Sequence, residues 1–127
     1  MAMTILIVDD CSTTRKIISH YLRSAGFVTL QASNGLDAVE KLSVGNVDFI
    51  VTDLNMPQMD GLELVKWVRG NVQCQEVPIV MLTTETDESR KITAIKAGVS
   101  AFLSKPVTQE KLTEEVKKIS DIYAGRK

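Results

Sequence analysis

Short apolar runs alternate with amphipathic stretches along this chain, and no other feature constrains the possible folds as strongly. Residues 5–8, 49–51 and 79–82 are continuously apolar, which is typical of parallel strands covered by helices on both faces. Residues 28–32 and 101–103 are weaker strand candidates. Because helical patterns separate these candidates, the sequence predicts the α/β class in a (βα)₅ arrangement that fills the chain.

Apolar residues at helical spacing, together with capping signals, predict where the five helices lie. The first covers residues 13–25, the second ends near Gly45, the third runs from Asp60 to about Gly70, the fourth ends before Gly98 and the fifth starts near Thr108. Asp60 and Glu63 have the spacing of a capping box, which marks the start of the third helix. Ile92 and Ile95 are the apolar residues that indicate the fourth.

Length, composition and charge are those of one compact domain. The chain has 127 residues, of which 44% are hydrophobic and 24% are charged. We therefore expect a single domain over residues 1–127, with a core from about 4 to 122 and no separate output domain. The net charge is −1 and both signs are interspersed, which argues against nucleic acid as a direct partner.

The N-terminus and the cysteines bear on where the protein works. The apolar run at residues 5–8 is too short for a signal peptide or a membrane span, so we expect a cytoplasmic protein with no membrane partner. We also expect the protein to be a monomer. Cys11 and Cys74 are too few and too far apart for a zinc site, and a reducing cytosol keeps them as thiols. We interpret both cysteines as packing residues, and His20 as a residue at or near the surface.

Five side chains with reactive chemistry lie at the ends of the predicted strands. Asp9 and Asp10 follow the first strand, Asp53 follows the third, Thr83 follows the apolar run of the fourth, and Lys105 comes after the fifth. The carboxyl ends of parallel strands share one edge of a sheet, and ligands bind in the crevice there. These residues, which are distant in sequence, are therefore predicted to converge.

Three carboxylates in one place repel one another, so such a site needs positive charge. A hard divalent cation suits an all-oxygen site, and Mg²⁺ in particular combines one or two carboxylates with waters and phosphate oxygens. Lys105 supplies a second cation. The alternative interpretation is that Asp9 and Asp10 only cap the first helix near Ser12.

Four short motifs occur in order along the chain. Residues 7–10 read IVDD, residues 53–61 read DLNMPQMDG, residues 82–85 read LTTE and residues 105–106 read KP. Each motif alone is weak, but together they are specific, and over roughly residues 4–122 the chain resembles the CheY-like receiver domains of two-component signalling. The resemblance implies a flavodoxin-like, doubly wound sheet of five parallel strands with the order 2-1-3-4-5.

The resemblance also implies the residues that carry out the chemistry. Asp53 is the expected phosphoryl acceptor, and Lys105 is expected to bind a phosphoryl oxygen. The carboxylates of Asp10 and Asp53 and the backbone carbonyl of Asn55 are the expected Mg²⁺ ligands, with Asp9 acting mainly through water. These roles agree with phosphoryl transfer, which requires in-line positioning and charge neutralisation.

The same resemblance assigns Thr83 and Phe102 to switching and gives Pro106 a structural role. Thr83 is expected to move its hydroxyl onto the phosphoryl group after transfer, and Pro106 to follow a cis peptide bond that shapes the lysine loop. Phe102 stands where relatives often have tyrosine, so the ring remains but the hydroxyl is lost. Phe102 is therefore either a switching aromatic or only a core ring.

The implied function is a signalling switch and not an enzyme that acts on a free substrate. A histidine kinase is the expected phosphodonor, and chemotaxis with a flagellar motor target is the first choice of pathway. A phosphorelay intermediate and a regulator of another kinase pathway are the alternatives.

Two other classes of protein share parts of the pattern. An aspartyl-phosphate phosphatase needs an acid two residues after its nucleophile, and Asn55 occupies that position. A flavin or dinucleotide module needs a glycine-rich cradle after its first strand, where this chain has Asp9 and Asp10.

Overall fold

The computed structural model describes residues 2–124, so the predicted domain span of 1–127 extends outside the described residues at both ends. Strands and helices alternate throughout. In chain order they are β1 (Thr4–Val8), α1 (Ser12–Ser24), β2 (Val28–Ala32), α2 (Gly35–Val44), β3 (Phe49–Thr52), α3 (Gly61–Arg69), β4 (Ile79–Thr83), α4 (Glu88–Ala97), β5 (Ala101–Ser104) and α5 (Gln109–Ala124). The predicted (βα)₅ order is confirmed.

The five strands form one parallel sheet in the order β2-β1-β3-β4-β5, which confirms the order that the resemblance implied. The chain leaves β1 toward β2 on one side and later returns to place β3 on the other side of β1. This reversal of strand order opens a crevice at the carboxyl ends of β1 and β3, and such crevices are where ligands bind in open α/β sheets.

Helices cover both faces of the sheet, so the central strands are buried from two sides. One apolar cluster contains Leu6 and Val8 of β1 together with residues of α2, α3 and α4, and the other contains Ile5 and Ile7 together with residues of α1 and α5. Alternate residues of a strand point to opposite faces, which explains why residues 5–8 are all apolar. The sequence pattern is thus the result of two cores that share one sheet.

Helix α3 begins as the sequence predicted. The Asp60 side chain accepts a hydrogen bond from the Glu63 backbone N–H at 2.9 Å, and the Glu63 side chain accepts one from the Asp60 N–H at 3.4 Å. The first residue after this cap, Gly61, is buried against the backbone of the preceding loop. A Cβ added to Gly61 would collide with the Asp53 carbonyl oxygen and lie 2.9 Å from the Leu54 Cα.

One expectation about burial needs correction. Cys74 is buried, as predicted for a packing residue, but Cys11 is exposed, because α1 begins only at Ser12 and leaves Cys11 in the loop at the open edge of the sheet. Ile92 and Ile95 lie in α4, as predicted, and are 49% and 56% exposed. None of the helices within residues 2–124 combines the length and the apolar character that a membrane span requires.

The end of the molecule opposite the β1–β3 crevice is fastened by one guanidinium. Arg69, the last residue of α3, donates to the Gly98 carbonyl from Nε at 3.1 Å and from Nη2 at 2.8 Å. Its Nη1 donates to the carbonyls of Gln75 at 2.9 Å and Val77 at 2.7 Å. Gly98 has a φ of 118°, and a Cβ there would lie 2.7 Å from the Arg69 Nε. Glycine is therefore required where α4 ends.

Candidate active site at the carboxyl edge of the sheet

The sheet brings the predicted site residues to one edge. Asp9 follows β1, Asp53 follows β3, Thr83 is the last residue of β4 and Lys105 follows β5. The backbone N–H of Asp53 donates to the Val8 carbonyl at 2.9 Å, and that of Lys105 donates to the Thr83 carbonyl at 3.0 Å. Ladder bonds thus extend past the strand ends and fix these residues relative to one another.

Three carboxylates form a cluster at this edge. One ligand oxygen from each of Asp9, Asp10 and Asp53 lies within 4.8 Å of the others. Asp9 is buried, Asp10 is exposed, and the Asp53 side chain is 12% exposed, so the cluster opens to water on the side of Asp10. An all-oxygen donor set of this size fits a hard divalent cation such as Mg²⁺.

Lys105 bridges two members of the cluster. Its Nζ donates to Asp9 Oδ2 at 2.6 Å and to Asp53 Oδ2 at 3.0 Å, and its side chain is 17% exposed. Burial by itself would lower the pKa of Lys105, but the hydrogen bonds and charges of Asp9 and Asp53 outweigh it and raise that pKa above the ordinary value of 10.5. Lys105 therefore carries its positive charge in the centre of the site.

Backbone N–H groups bind the remaining oxygens of the same two carboxylates. The Leu54 N–H donates to Asp53 Oδ1 at 2.7 Å, and the Cys11 N–H donates to Asp9 Oδ1 at 2.9 Å. Cys11 is the N-cap residue of α1 and no side chain within residues 2–124 caps this helix, so the interpretation of Asp9 and Asp10 as helix caps is wrong. Since its other oxygen binds Lys105, Asp9 belongs to the carboxylate cluster.

The residues assigned to switching and to the lysine loop lie on strands β4 and β5 and in the loop after β5. The Thr83 hydroxyl is buried and accepts a hydrogen bond from the Glu85 backbone N–H at 3.0 Å. The peptide bond between Lys105 and Pro106 is cis, as expected. Phe102 is half-buried and packs against the core cluster that contains residues of α2, α3 and α4. Its part in switching stays a prediction.

A polar group beside the cluster was not foreseen from the sequence. Arg90 of α4 contacts both Asn55, in the loop after β3, and Glu85, in the loop after β4. The pKa of Glu85 is lowered, chiefly by the hydrogen bond from the Asn55 amide and then by the Asp87 N–H and the charge of Arg90. Nothing in the spacing of Arg90 along the chain signals this contact, because it depends on where α4 lies against the loops.

The doubly wound sheet and the lysine-bridged carboxylate cluster together define a phospho-accepting signalling domain. The chain belongs to the response regulator receiver domain family, whose pattern it matches over residues 5–117.

Curated relatives and solved structures are similar to this chain over nearly its whole length. The chain is 44% identical to the chemotaxis protein CheY of Pseudomonas aeruginosa over 124 residues, which cover 97% of this chain and 100% of that protein. It is 43% identical to the chemotaxis protein CheY-3 of Vibrio cholerae over 118 residues, covering 92% of this chain and 91% of that one. The crystal structure of Vibrio cholerae CheY4 has a TM-score of 0.88 at 36% identity, covering 93% of this chain and 98% of the other.

Proposed function

We propose that this protein is a phosphorylation-activated switch in which Asp53 accepts a phosphoryl group from a histidine kinase. The observation that carries the proposal is the contact of Lys105 Nζ with both Asp9, at 2.6 Å, and Asp53, at 3.0 Å. A lysine between two carboxylates supplies the positive charge that an incoming phosphoryl group would need at this site. Membership of the receiver family supports the same function.

Within this proposal the carboxylate cluster holds Mg²⁺. Asp10, Asp53 and the backbone carbonyl of Asn55 would be the direct ligands, and Asp9 would act through water. The donor set fits, because three carboxylate oxygens within 4.8 Å of one another suit a hard cation. When bound, the ion supplies charge neutralisation and orientation for the phosphoryl oxygens.

The transfer itself is a displacement at phosphorus. A carboxylate oxygen of Asp53 attacks, an O–P bond forms, and the P–N bond of the kinase phosphohistidine breaks while the imidazole nitrogen keeps the electron pair. The Lys105 ammonium, already 3.0 Å from Asp53, neutralises the negative charge on the transferred group. The domain thereby promotes its own phosphorylation and, with water as the attacking group, its own dephosphorylation.

Thr83 converts this chemistry into a change of shape. Its hydroxyl now accepts a hydrogen bond from the Glu85 N–H at 3.0 Å, and after transfer it would donate to a phosphoryl oxygen. Because the loop after β4 is bonded to that hydroxyl, the loop must adjust when Thr83 moves. Partner affinity then changes by as much as the partner distinguishes the two arrangements. Phe102, on the neighbouring strand β5, is the aromatic that would move with it.

The pathway is proposed to be chemotaxis, in the cytoplasm, with a flagellar motor component as the downstream protein. The support is that relatives 43–44% identical to this chain over at least 92% of its length are named chemotaxis proteins. A phosphorelay intermediate and a regulator of another kinase pathway are the alternatives. Capture of partners with the phosphorylated and the unphosphorylated protein separates them, since motor proteins are expected only with the phosphorylated form.

Labelling with a small phosphodonor tests the acceptor directly. Acetyl phosphate with Mg²⁺ should add one phosphoryl group to the purified protein without any kinase, as measured by intact mass and peptide mapping. Asp53→Asn should abolish the label, excess chelator should suppress it, and Asp121→Asn, an exposed acid on α5, should leave it unchanged. Equal labelling of Asp53→Asn and the wild type would refute the assignment.

A further inference from the structure

Arg90, Asn55 and Glu85 form a closed set of polar contacts, which we call the rim triangle. Arg90 Nη1 donates to Asn55 Oδ1 at 2.7 Å and to Glu85 Oε2 at 3.0 Å. The third side is completed by Asn55 Nδ2, which donates to the same Glu85 Oε2 at 3.1 Å. Each member therefore contacts the other two, and Arg90 supplies two of the three contacts.

The rim triangle joins the three segments that border the carboxylate site. Asn55 lies two residues after Asp53 in the loop that follows β3, and Glu85 lies two residues after Thr83 in the loop that follows β4. Arg90 is the third residue of α4. The position of Arg90 is thus linked through short backbone connections to the acceptor and to the switching hydroxyl.

The charges in the rim triangle matter for an anionic reactant. Glu85 adds a fourth carboxylate to an edge that already has Asp9, Asp10 and Asp53, and the single ammonium of Lys105 is engaged with two of them. The ion pair with Arg90 at 3.0 Å offsets the charge of Glu85. Without it, an approaching phosphodonor would meet an additional uncompensated negative charge.

The same guanidinium also determines how the Asn55 amide is oriented. Arg90 donates to the amide oxygen at 2.7 Å, and the amide nitrogen donates to Glu85 at 3.1 Å, so both ends are occupied. Removing Arg90 would leave the oxygen of Asn55 without this donor, and the amide could then rotate. The side chain two residues after the acceptor would lose its fixed position.

We propose that Arg90 is a positioning residue for phosphoryl transfer to Asp53, and that it favours dianionic phosphodonors by neutralising Glu85 and fixing Asn55. This inference rests on the proposed function, since it requires Asp53 to be the acceptor. It adds a cation that touches neither the acceptor nor the expected metal ligand atoms. Arg90 acts on the reaction only through its two partners in the rim triangle.

The experiment compares two donors of different charge. At neutral pH acetyl phosphate is a dianion and phosphoramidate carries less negative charge, and the second-order rate constant for labelling is measured with each. Arg90→Ala should slow labelling by acetyl phosphate on the order of three- to tenfold at low ionic strength, and labelling by phosphoramidate clearly less. The difference should shrink as KCl is raised, because salt screens exposed charges. Lys96→Ala removes the same charge from the last turn of α4 and is the matched control.

Two further variants distinguish a charge effect from damage to the loop. Arg90→Lys keeps the cation and should retain most of the rate with acetyl phosphate. Glu85→Gln removes the charge that Arg90 offsets, so the double variant with Arg90→Ala has the same net charge at the rim triangle as the wild type and should recover much of the acetyl phosphate rate that Arg90→Ala alone loses. An Arg90→Ala rate equal to wild type, or one lowered equally for both donors at every salt concentration, would overturn the inference. Failure of the proposed function looks different, because the wild type itself would then show no label that depends on Asp53.

Discussion

Replacing Asp10 with asparagine should stabilise the protein when no divalent cation is present. Asp10 is the exposed member of the carboxylate cluster, whereas Asp9 and Asp53 both bind Lys105. The variant keeps the size of the side chain and removes only its charge. It therefore relieves repulsion without breaking the contacts of Lys105.

The expected size follows from the geometry of the cluster. Asp10 faces two carboxylates and one ammonium, so about one repulsion between unit charges is uncompensated. With ligand oxygens within 4.8 Å and Asp10 in contact with water, that repulsion is worth about 1 kcal/mol. For a domain of this size the melting temperature in chelator should rise by about 3 to 5 °C.

Added Mg²⁺ should reverse the order of the two proteins. An ion that binds only the folded state at a hundredfold excess over its dissociation constant stabilises by about 2.7 kcal/mol, and Asp10→Asn should lose most of that gain. Urea unfolding with chelator and with Mg²⁺ measures both effects, and Asp121→Asn controls for net charge. A metal-free midpoint below that of wild type, or equal stabilisation of both proteins by Mg²⁺, would show that Asp10 is a structural residue and not a ligand.

Three other outcomes follow from the site. Because the pKa of Lys105 is raised in the folded state, its contribution to stability is present below the unfolded pKa of 10.5 and is lost as pH rises through the folded pKa. In metal-free urea titrations the stability advantage of wild type over Lys105→Gln should therefore be constant from neutral pH and shrink above pH 10.5. An advantage that grew above pH 10.5 would contradict the pairing of Lys105 with Asp9 and Asp53. Gly61→Ala should destabilise the folded protein by roughly 1–3 kcal/mol and slow labelling of Asp53, because the added Cβ meets the backbone of the acceptor loop. Gly70→Ala is the control, since the nearest atom to its added Cβ is 3.3 Å away, and this variant should be labelled at the normal rate. Thr83→Ala should still be phosphorylated but should lose, on the order of tenfold, the gain in partner affinity that phosphorylation produces, as measured by titration, whereas Thr83→Ser should retain most of that gain. If Thr83→Ala blocked labelling of Asp53, Thr83 would instead be a catalytic residue.

The sequence was sufficient to predict the carboxylate site because one geometric rule carries the inference. Asp9, Asp53 and Lys105 are far apart along the chain, but each follows an apolar run, and the ends of parallel strands meet at one edge. Capping chemistry likewise located the start of α3 at Asp60. These signals are local, so they do not depend on how the helices pack.

Features that depend on packing were not predictable in the same way. The spacing of Ile92 and Ile95 indicated a helix, yet it did not reveal that α4 joins the apolar core through the small residue Ala94 and leaves both isoleucines exposed. The prediction that Cys11 is a packing residue is wrong, because the apolar character of a side chain does not show which side of a loop faces water. The reach of Arg90 to two other loops required the position of α4 itself.

The two ends of α4 are held by different kinds of contact, a main-chain group at the C-terminal end and side chains at the N-terminal end, so a movement of the helix would pivot about its C-terminal end. At that end the Gly98 carbonyl accepts two bonds from Arg69, at 3.1 and 2.8 Å, whereas at the N-terminal end Arg90 binds the side chains of Asn55, at 2.7 Å, and Glu85, at 3.0 Å. The 10 residues of α4 span about 15 Å, so a tilt of about 10° displaces the first turn by roughly 2.6 Å while Gly98 stays in place. Amide hydrogen exchange on phosphorylation should accordingly change in the first turn of α4 and not around Gly98.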